Sequence, residues 1–205
     1  MPVLEVLQLK VKPKIHPADP SILTSLRTVR SLLASKIHAT HSRFYQSIED
    51  STLIYVLGLW DTLSQHQSFL SSSLREEILA PQEHVLDFGW CVHIPLEKME
   101  DLPLEAPVVA VARLKVKSGE SLKLHQEITG RYRGVLEEET RPFGVVEGWR
   151  LDGGEGREQV IITGWREKED HLKFGEGLRE KFEDYRSLRG HWEGVEASHM
   201  RDMEK

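Results

Sequence analysis

From Val3 to Val11 the chain alternates with period two, which predicts a strand. A proline-rich turn follows (Pro13, Pro17, Pro20). Ile22, Leu23, Leu26, Val29 and Leu33 then recur at helical spacing, so an amphipathic helix is expected from a Ser21 cap to about Ala34. His38–Ser47 and Thr52–Trp60 mix β-branched, aromatic and polar residues around Glu49-Asp50-Ser51 and read as a hairpin. Asp61 is the expected cap of a second helix whose apolar side carries His66, Phe69 and Leu70. Residues 74–80 continue or restart it, and His84–Ile94 reads as a fourth strand.

The same order then returns. Val108–Val116 is a strand. Ser118 caps a helix with Leu122, His125, Ile128, Tyr132 and Leu136 on one side. Phe143–Leu151 and Glu158–Trp165 flank the turn Asp152-Gly153-Gly154-Glu155-Gly156. A helix from about Lys168 to Tyr185 carries His171, Phe174, Leu178 and Phe182, and His191–Met200 is the last strand. Two stretches match outright. Leu9-Lys10-Val11-Lys12 recurs as Leu114-Lys115-Val116-Lys117, and Trp60, His66 and Phe69 recur as Trp165, His171 and Phe174. Both matches lie at an offset of 105 residues. Two matches in one register indicate duplication. The expected domains are 1–98 and 108–205, joined by a Pro- and Glu-rich linker over 99–107.

The order βαββαβ, seen twice, is the ferredoxin-like plan. Its antiparallel sheet carries helices on one face only, so the other face needs a cover. The expected fold is α+β: two fused ferredoxin-like βαββαβ repeats whose sheets pack face to face as an α+β barrel.

Composition narrows the function classes. A net charge of −6, with basic residues mixed among acidic ones, argues against nucleic acid as a partner. No apolar run approaches the roughly 20 residues that span a bilayer, and the N-terminus reads as a strand rather than a signal peptide. The single cysteine, Cys91, rules out an internal disulfide, and the cytoplasm is the default location.

With these residues in view, the whole chain resembles a tandem member of the dimeric α+β barrel superfamily. Within that superfamily it resembles the antibiotic-biosynthesis-monooxygenase-like proteins of microbial secondary metabolism. The resemblance rests on the βαββαβ order and on the Trp60-His66-Phe69 and Trp165-His171-Phe174 signatures. It implies a pocket for a polyketide-like or aromatic molecule and cofactor-free chemistry. Single-repeat relatives dimerise, so a fused chain is expected as a monomer with an internal pseudo-dimer or as a homodimer. The superfamily also contains haem-degrading enzymes, small decarboxylases and dehydratases, cyclases and stress-response barrels.

The candidate chemistry centres on histidine. His66 and His171 occupy matching positions, as pocket acid–base groups or as rings packed under the adjacent Trp. His38, Thr40 and Ser42 are assigned to one face of the second strand, and His41, Arg43 and Tyr45 to the other. Their matches in the second half are Phe143, Val145 and Glu147, then Val146, Gly148 and Arg150, which points to one polar pocket in the first half. Asp87, Cys91 and His93 are assigned to one face of the fourth strand, with Phe88 and Trp90 on the other. His38, His41, His66 and His93 are therefore the candidate catalytic residues. Phe44, Tyr45, Tyr55, Trp60, Arg113, Tyr132, Trp165 and His171 are the candidate substrate-binding ones. No histidine pair has helical zinc spacing with an acid between, so no metal site is assigned. The expected function is a cofactor-independent biosynthetic enzyme, monooxygenase-like or a cyclase, isomerase or dehydratase. The alternatives are a non-catalytic small-molecule-binding barrel and a haem- or metal-dependent enzyme using His38, His41, His66 or His93.

Overall fold

The alternation that predicted the first strand holds along its whole length, Val3–Val11. The computed structural model describes residues 1–38, 40–153 and 157–205. The first unit, 1–99 with 200–205, contains β1 (Val3–Val11), α1 (Pro20–Lys36), β2 (His41–Ser47), β3 (Leu53–Trp60), α2 (Leu63–Leu70), α3 (Leu74–Glu83) and β4 (Leu86–Pro95). The second, 100–199, contains β5 (Val108–Val116), α4 (Glu120–Glu139), β6 (Val145–Trp149), β7 (Glu158–Trp165), α5 (Lys168–Lys181), α6 (Glu183–Ser187) and most of β8 (Trp192–Asp202). The class is α+β with two βαββαβ repeats, the second helix of each being broken in two.

Within the first unit the strands are hydrogen-bonded in the order β4-β1-β3-β2, and within the second in the order β8-β5-β7-β6. The first four and the last four have the same internal order, fourth-first-third-second. The end of β8 belongs to the first unit, where Met200, Arg201 and Asp202 pair antiparallel with Ser47, Gln46 and Tyr45. Glycines 154 and 156 of the expected glycine-rich turn, with Glu155, lie outside the described residues.

Helix starts differ from expectation by one or two residues, each for a local reason. α1 is capped by Asp19, whose carboxylate accepts from Ser21 N at 2.8 Å, with Pro20 as its first residue. α2 is capped by Thr62, which accepts from Gln65 N, while Gln65 Oε1 accepts from Asp61 N. α4 begins after Gly119, at φ 68°, a left-handed conformation suited to glycine.

The core of the first unit forms where α1 crosses one sheet face. Ile22 and Leu26 pack on Leu9, Val11, Phe44, Ile54, Val56 and Leu86. A second cluster joins Val3, Val29, Trp60, Phe69 and Ile78. Each such buried side chain contributes about 1.5–3 kcal/mol. Leu4, Val6, Tyr45, Tyr55, Leu57, Val92 and Ile94, on the other face, are buried too.

Two assignments of residues to faces are corrected. β4 carries a bulge: Gln8 lies opposite Trp90, yet Leu9 lies opposite Phe88, so Gly89 is the extra residue. A β-carbon there would lie 2.9 Å from the Gln8 carbonyl oxygen. The bulge turns Phe88 to the helix side, where it is 70% exposed rather than core, and puts Asp87 out of step with Cys91. The second concerns β2. Ser42 is opposite Gly58, and Val145 is opposite Thr163, the residue 105 beyond Gly58. Here the repeats correspond at an offset of 103, because the connection from first strand to first helix shortens from 12–19 to 117–119 while the helix lengthens from 17 to 20 residues. Thr40 therefore corresponds to Phe143, not Val145, and it precedes β2 rather than lying within it.

Candidate functional site

On β1, period two places Glu5 with Val3, Leu7 and Leu9, on the face that the helices cover. Opposite it in the ladder is Gly58. A β-carbon at 58 would lie 2.8 Å from Glu5 Oε2, so the absence of a side chain makes room for the carboxylate. Glu5 Oε2 accepts the Trp60 indole N–H at 2.9 Å. The Trp60 ring stacks on His66 at 4.3 Å between centroids, with Phe69 beyond it. His66 Nε2 stands 3.6 Å from Glu5 Oε1. Its Nδ1 shares a 2.6 Å hydrogen bond with Nε2 of His93. Cys91 Sγ lies 3.8 Å from Glu5 Oε1 and 3.9 Å from His93 Nε2. His66, His93 and Glu5 are all buried.

This group borders a cavity of about 610 Å³ between the helices and the sheet of the first unit. The volume lies in the range of small-molecule pockets, about 300–1,000 Å³. Glu5, Trp60, His66, Phe69 and Cys91 form part of its wall, with Leu26, Val29, Leu33, Phe44 and Val56 as apolar lining. Phe88 and Leu70, both exposed, also line it, as does the exposed His41. The cations in the wall have carboxylate partners. Arg30 is held by Glu204 through bonds of 2.6 and 2.8 Å, Lys12 lies 3.7 Å from Asp87, and Arg75 lies 2.5 Å from Glu83. The Arg30 guanidinium also covers the Phe44 ring at 4.8 Å. Hydrogen bonding from Arg30 holds the Glu204 carboxyl down at about 2.

The second unit repeats part of this arrangement. Trp165 stacks on His171, and His171 Nδ1 shares a 2.8 Å bond with His199 Nε2. Ala110 stands where the first unit has Glu5, and Thr163 where it has Gly58. Thr163 Oγ1 takes the indole N–H of Trp165 instead, at 2.7 Å. The buried His125 accepts from Trp192 Nε1 and donates to Gln159 Oε1, and burial pushes its pKa down.

The structure thus gathers Trp60, His66 and Phe44 around one cavity, with His41 also in its wall and His93 bonded to His66. His38 is exposed, 4.0 Å from Asp61. Tyr45 and Tyr55 are on the other sheet face, where Gln8 donates to the Tyr55 hydroxyl at 2.8 Å. In the second unit Arg113 is engaged with Glu158 and Glu196, and Tyr132 donates to Asp184 at 2.8 Å and packs on Phe182 and Tyr185. Sequence reasoning missed Glu5. The signal was there: a carboxylate at an inward strand position whose duplicate is Ala110. It also missed the pairing of His66 with His93.

Among the described residues no group of three or more His, Cys, Asp or Glu side chains is placed to hold a metal ion, and no helix is long and apolar enough to cross a membrane. The nitrogens that His66 and His93 turn to each other are engaged in their mutual bond.

Compared with models of protein families and with curated proteins, the chain matches none. Solved structures do match it over nearly its whole length. An anthrone oxidase-like protein is 12% identical, with 98% of this chain and 91% of that one covered and a TM-score of 0.65. A candidate monooxygenase of Fusobacterium nucleatum subsp. nucleatum is 11% identical, with 98% and 92% covered and a TM-score of 0.63. A mutant chlorite dismutase of Candidatus Nitrospira defluvii is 15% identical, with 97% and 91% covered and a TM-score of 0.63. At such identities these are likenesses of fold.

Proposed function

We propose that the chain is an enzyme that removes a proton from a hydroxylated aromatic or polyketide-like molecule held in the first-unit cavity. The observation that carries this reading is the contiguous set Glu5, His66 and His93, of which Glu5 and His66 stand in the wall of a largely apolar pocket while His93 bonds to His66. In the 2.6 Å bond between the two imidazoles, one nitrogen carries the proton and the other accepts it. When His66 Nδ1 is the donor, its Nε2 presents a lone pair and takes the substrate proton. The resulting imidazolium lies 3.6 Å from the Glu5 carboxylate, which stabilises it in a water-poor setting. His93 fixes the ring, and Trp60 offers an indole beside it for the substrate.

The anion so formed is the intermediate common to oxygenation and to cyclisation, isomerisation or elimination. The fold shared with an anthrone oxidase-like protein and a candidate monooxygenase favours oxygenation. The test is incubation with anthrone in air-saturated buffer, following dioxygen uptake and product mass. Turnover by the wild type, reduced about 10²–10⁴-fold in His66→Asn, is the expected result. Turnover indifferent to that change would remove the acid–base assignment.

A further inference from the structure

Thr40 lines the same cavity, and its hydroxyl oxygen is buried with no hydrogen-bond partner among the described residues. A buried hydroxyl without a partner costs free energy, and such groups are uncommon in folded proteins. Its position follows from two neighbours. His41, the next residue, is opposite Leu59 in the ladder, so Thr40 sits at the Trp60 end of the sheet. The connection before it is tied to the first turn of α2, where Gln65 Nε2 donates to the His38 carbonyl at 3.0 Å, one residue before His66. In the second unit the corresponding residue is Phe143, an apolar side chain beside Gly164. The hydroxyl therefore belongs to the repeat that has the cavity and the carboxylate.

We infer that Thr40 is a ligand-binding residue whose hydroxyl hydrogen-bonds an oxygen of the bound molecule, a phenolic hydroxyl or ring carbonyl, and holds it at the end of the cavity where His66 and Trp60 stand. This rests on the aromatic-pocket reading above and adds a polar anchor to it. A hydroxyl both donates and accepts, so it serves a phenol before its proton is lost and the oxyanion afterwards.

The experiment uses the full chain and two probes, 2-naphthol and naphthalene, with affinities from ligand fluorescence titration. Thr40→Val should weaken 2-naphthol about tenfold and leave naphthalene unchanged, while Thr40→Ser keeps the wild-type affinity for both. Without ligand, Thr40→Val should melt at the same temperature as the wild type or higher, because it removes a hydroxyl with nothing to bond. Equal affinity of wild type and Thr40→Val for 2-naphthol would overturn the inference and leave the pocket reading standing. A lower melting temperature of unliganded Thr40→Val would also overturn it, by showing that the hydroxyl is satisfied within the protein. Failure of both probes to bind the wild type would overturn the pocket reading, and the anchor with it.

Discussion

Glu5 Oε2 stands where a β-carbon on residue 58 would come within 2.8 Å of it, so the carboxylate and the glycine are fitted to each other. Gly58→Ala should leave stability within about 1 kcal/mol, since the loss of chain entropy on replacing glycine offsets part of the crowding. It should displace the carboxylate from the Trp60 indole. The indole N–H resonance of Trp60 would then shift, and turnover would fall with it. An unmoved resonance would show that the site has slack at this point.

Removing the carboxylate altogether has a different signature. Glu5→Ala strips the buried Trp60 N–H of its acceptor, and the expected loss is about 1–3 kcal/mol in denaturant unfolding. Glu5→Gln keeps an acceptor for the indole but carries no charge, so stability recovers while proton transfer does not. Equal activity in Glu5→Gln and the wild type would show that the negative charge has no part in the chemistry.

The two repeats supply an internal control. His66 and His171 each stack on a tryptophan and bond to a second histidine; Glu5 stands 3.6 Å from His66, and the position that duplicates Glu5 in the second unit is Ala110. His171→Asn should lower the melting temperature and leave turnover per folded molecule unchanged. His66→Asn should reduce turnover about 10²–10⁴-fold. Comparable losses in both would place chemistry in both units.

The C-terminal residues bind the first unit through Glu204, whose carboxyl is held at about 2 against an ordinary 4.5 by the Arg30 and Arg27 guanidiniums. A depressed carboxylate stabilises the fold fully above its unfolded value and loses that contribution as pH falls through the folded one. The contribution is therefore complete above about 4.5 and fades towards about 2. Melting temperatures of wild type and Glu204→Gln should differ at neutral pH and converge over that window. Parallel curves would contradict the assignment.

Much of this could be read in the chain because duplication preserved it. The Leu-Lys-Val-Lys strand end and the Trp, His and Phe spacing occur twice, and both repeats fold into the same strand order. What escaped were local irregularities. Alternation assumes an unbroken ladder, and the bulge at Gly89 sends Phe88 to the face opposite the expected one. A constant offset assumes equal spacing, but the stretches from β1 to β2 and from β5 to β6 differ in length, so Thr40 was matched to Val145 instead of Phe143. Glu5 escaped because an isolated acid in a strand reads as a solvent-facing residue. Period two had already placed it among Val3, Leu7 and Leu9.

One spectrum bears on the whole account: the ultraviolet absorbance of 2-naphthol bound at a pH below its own ionisation. A naphtholate band with the wild type and with His171→Asn, absent with His66→Asn, is what a single proton-accepting site in the first repeat requires. Naphthol that stays neutral in the wild type, or a band that survives the loss of His66, would contradict it.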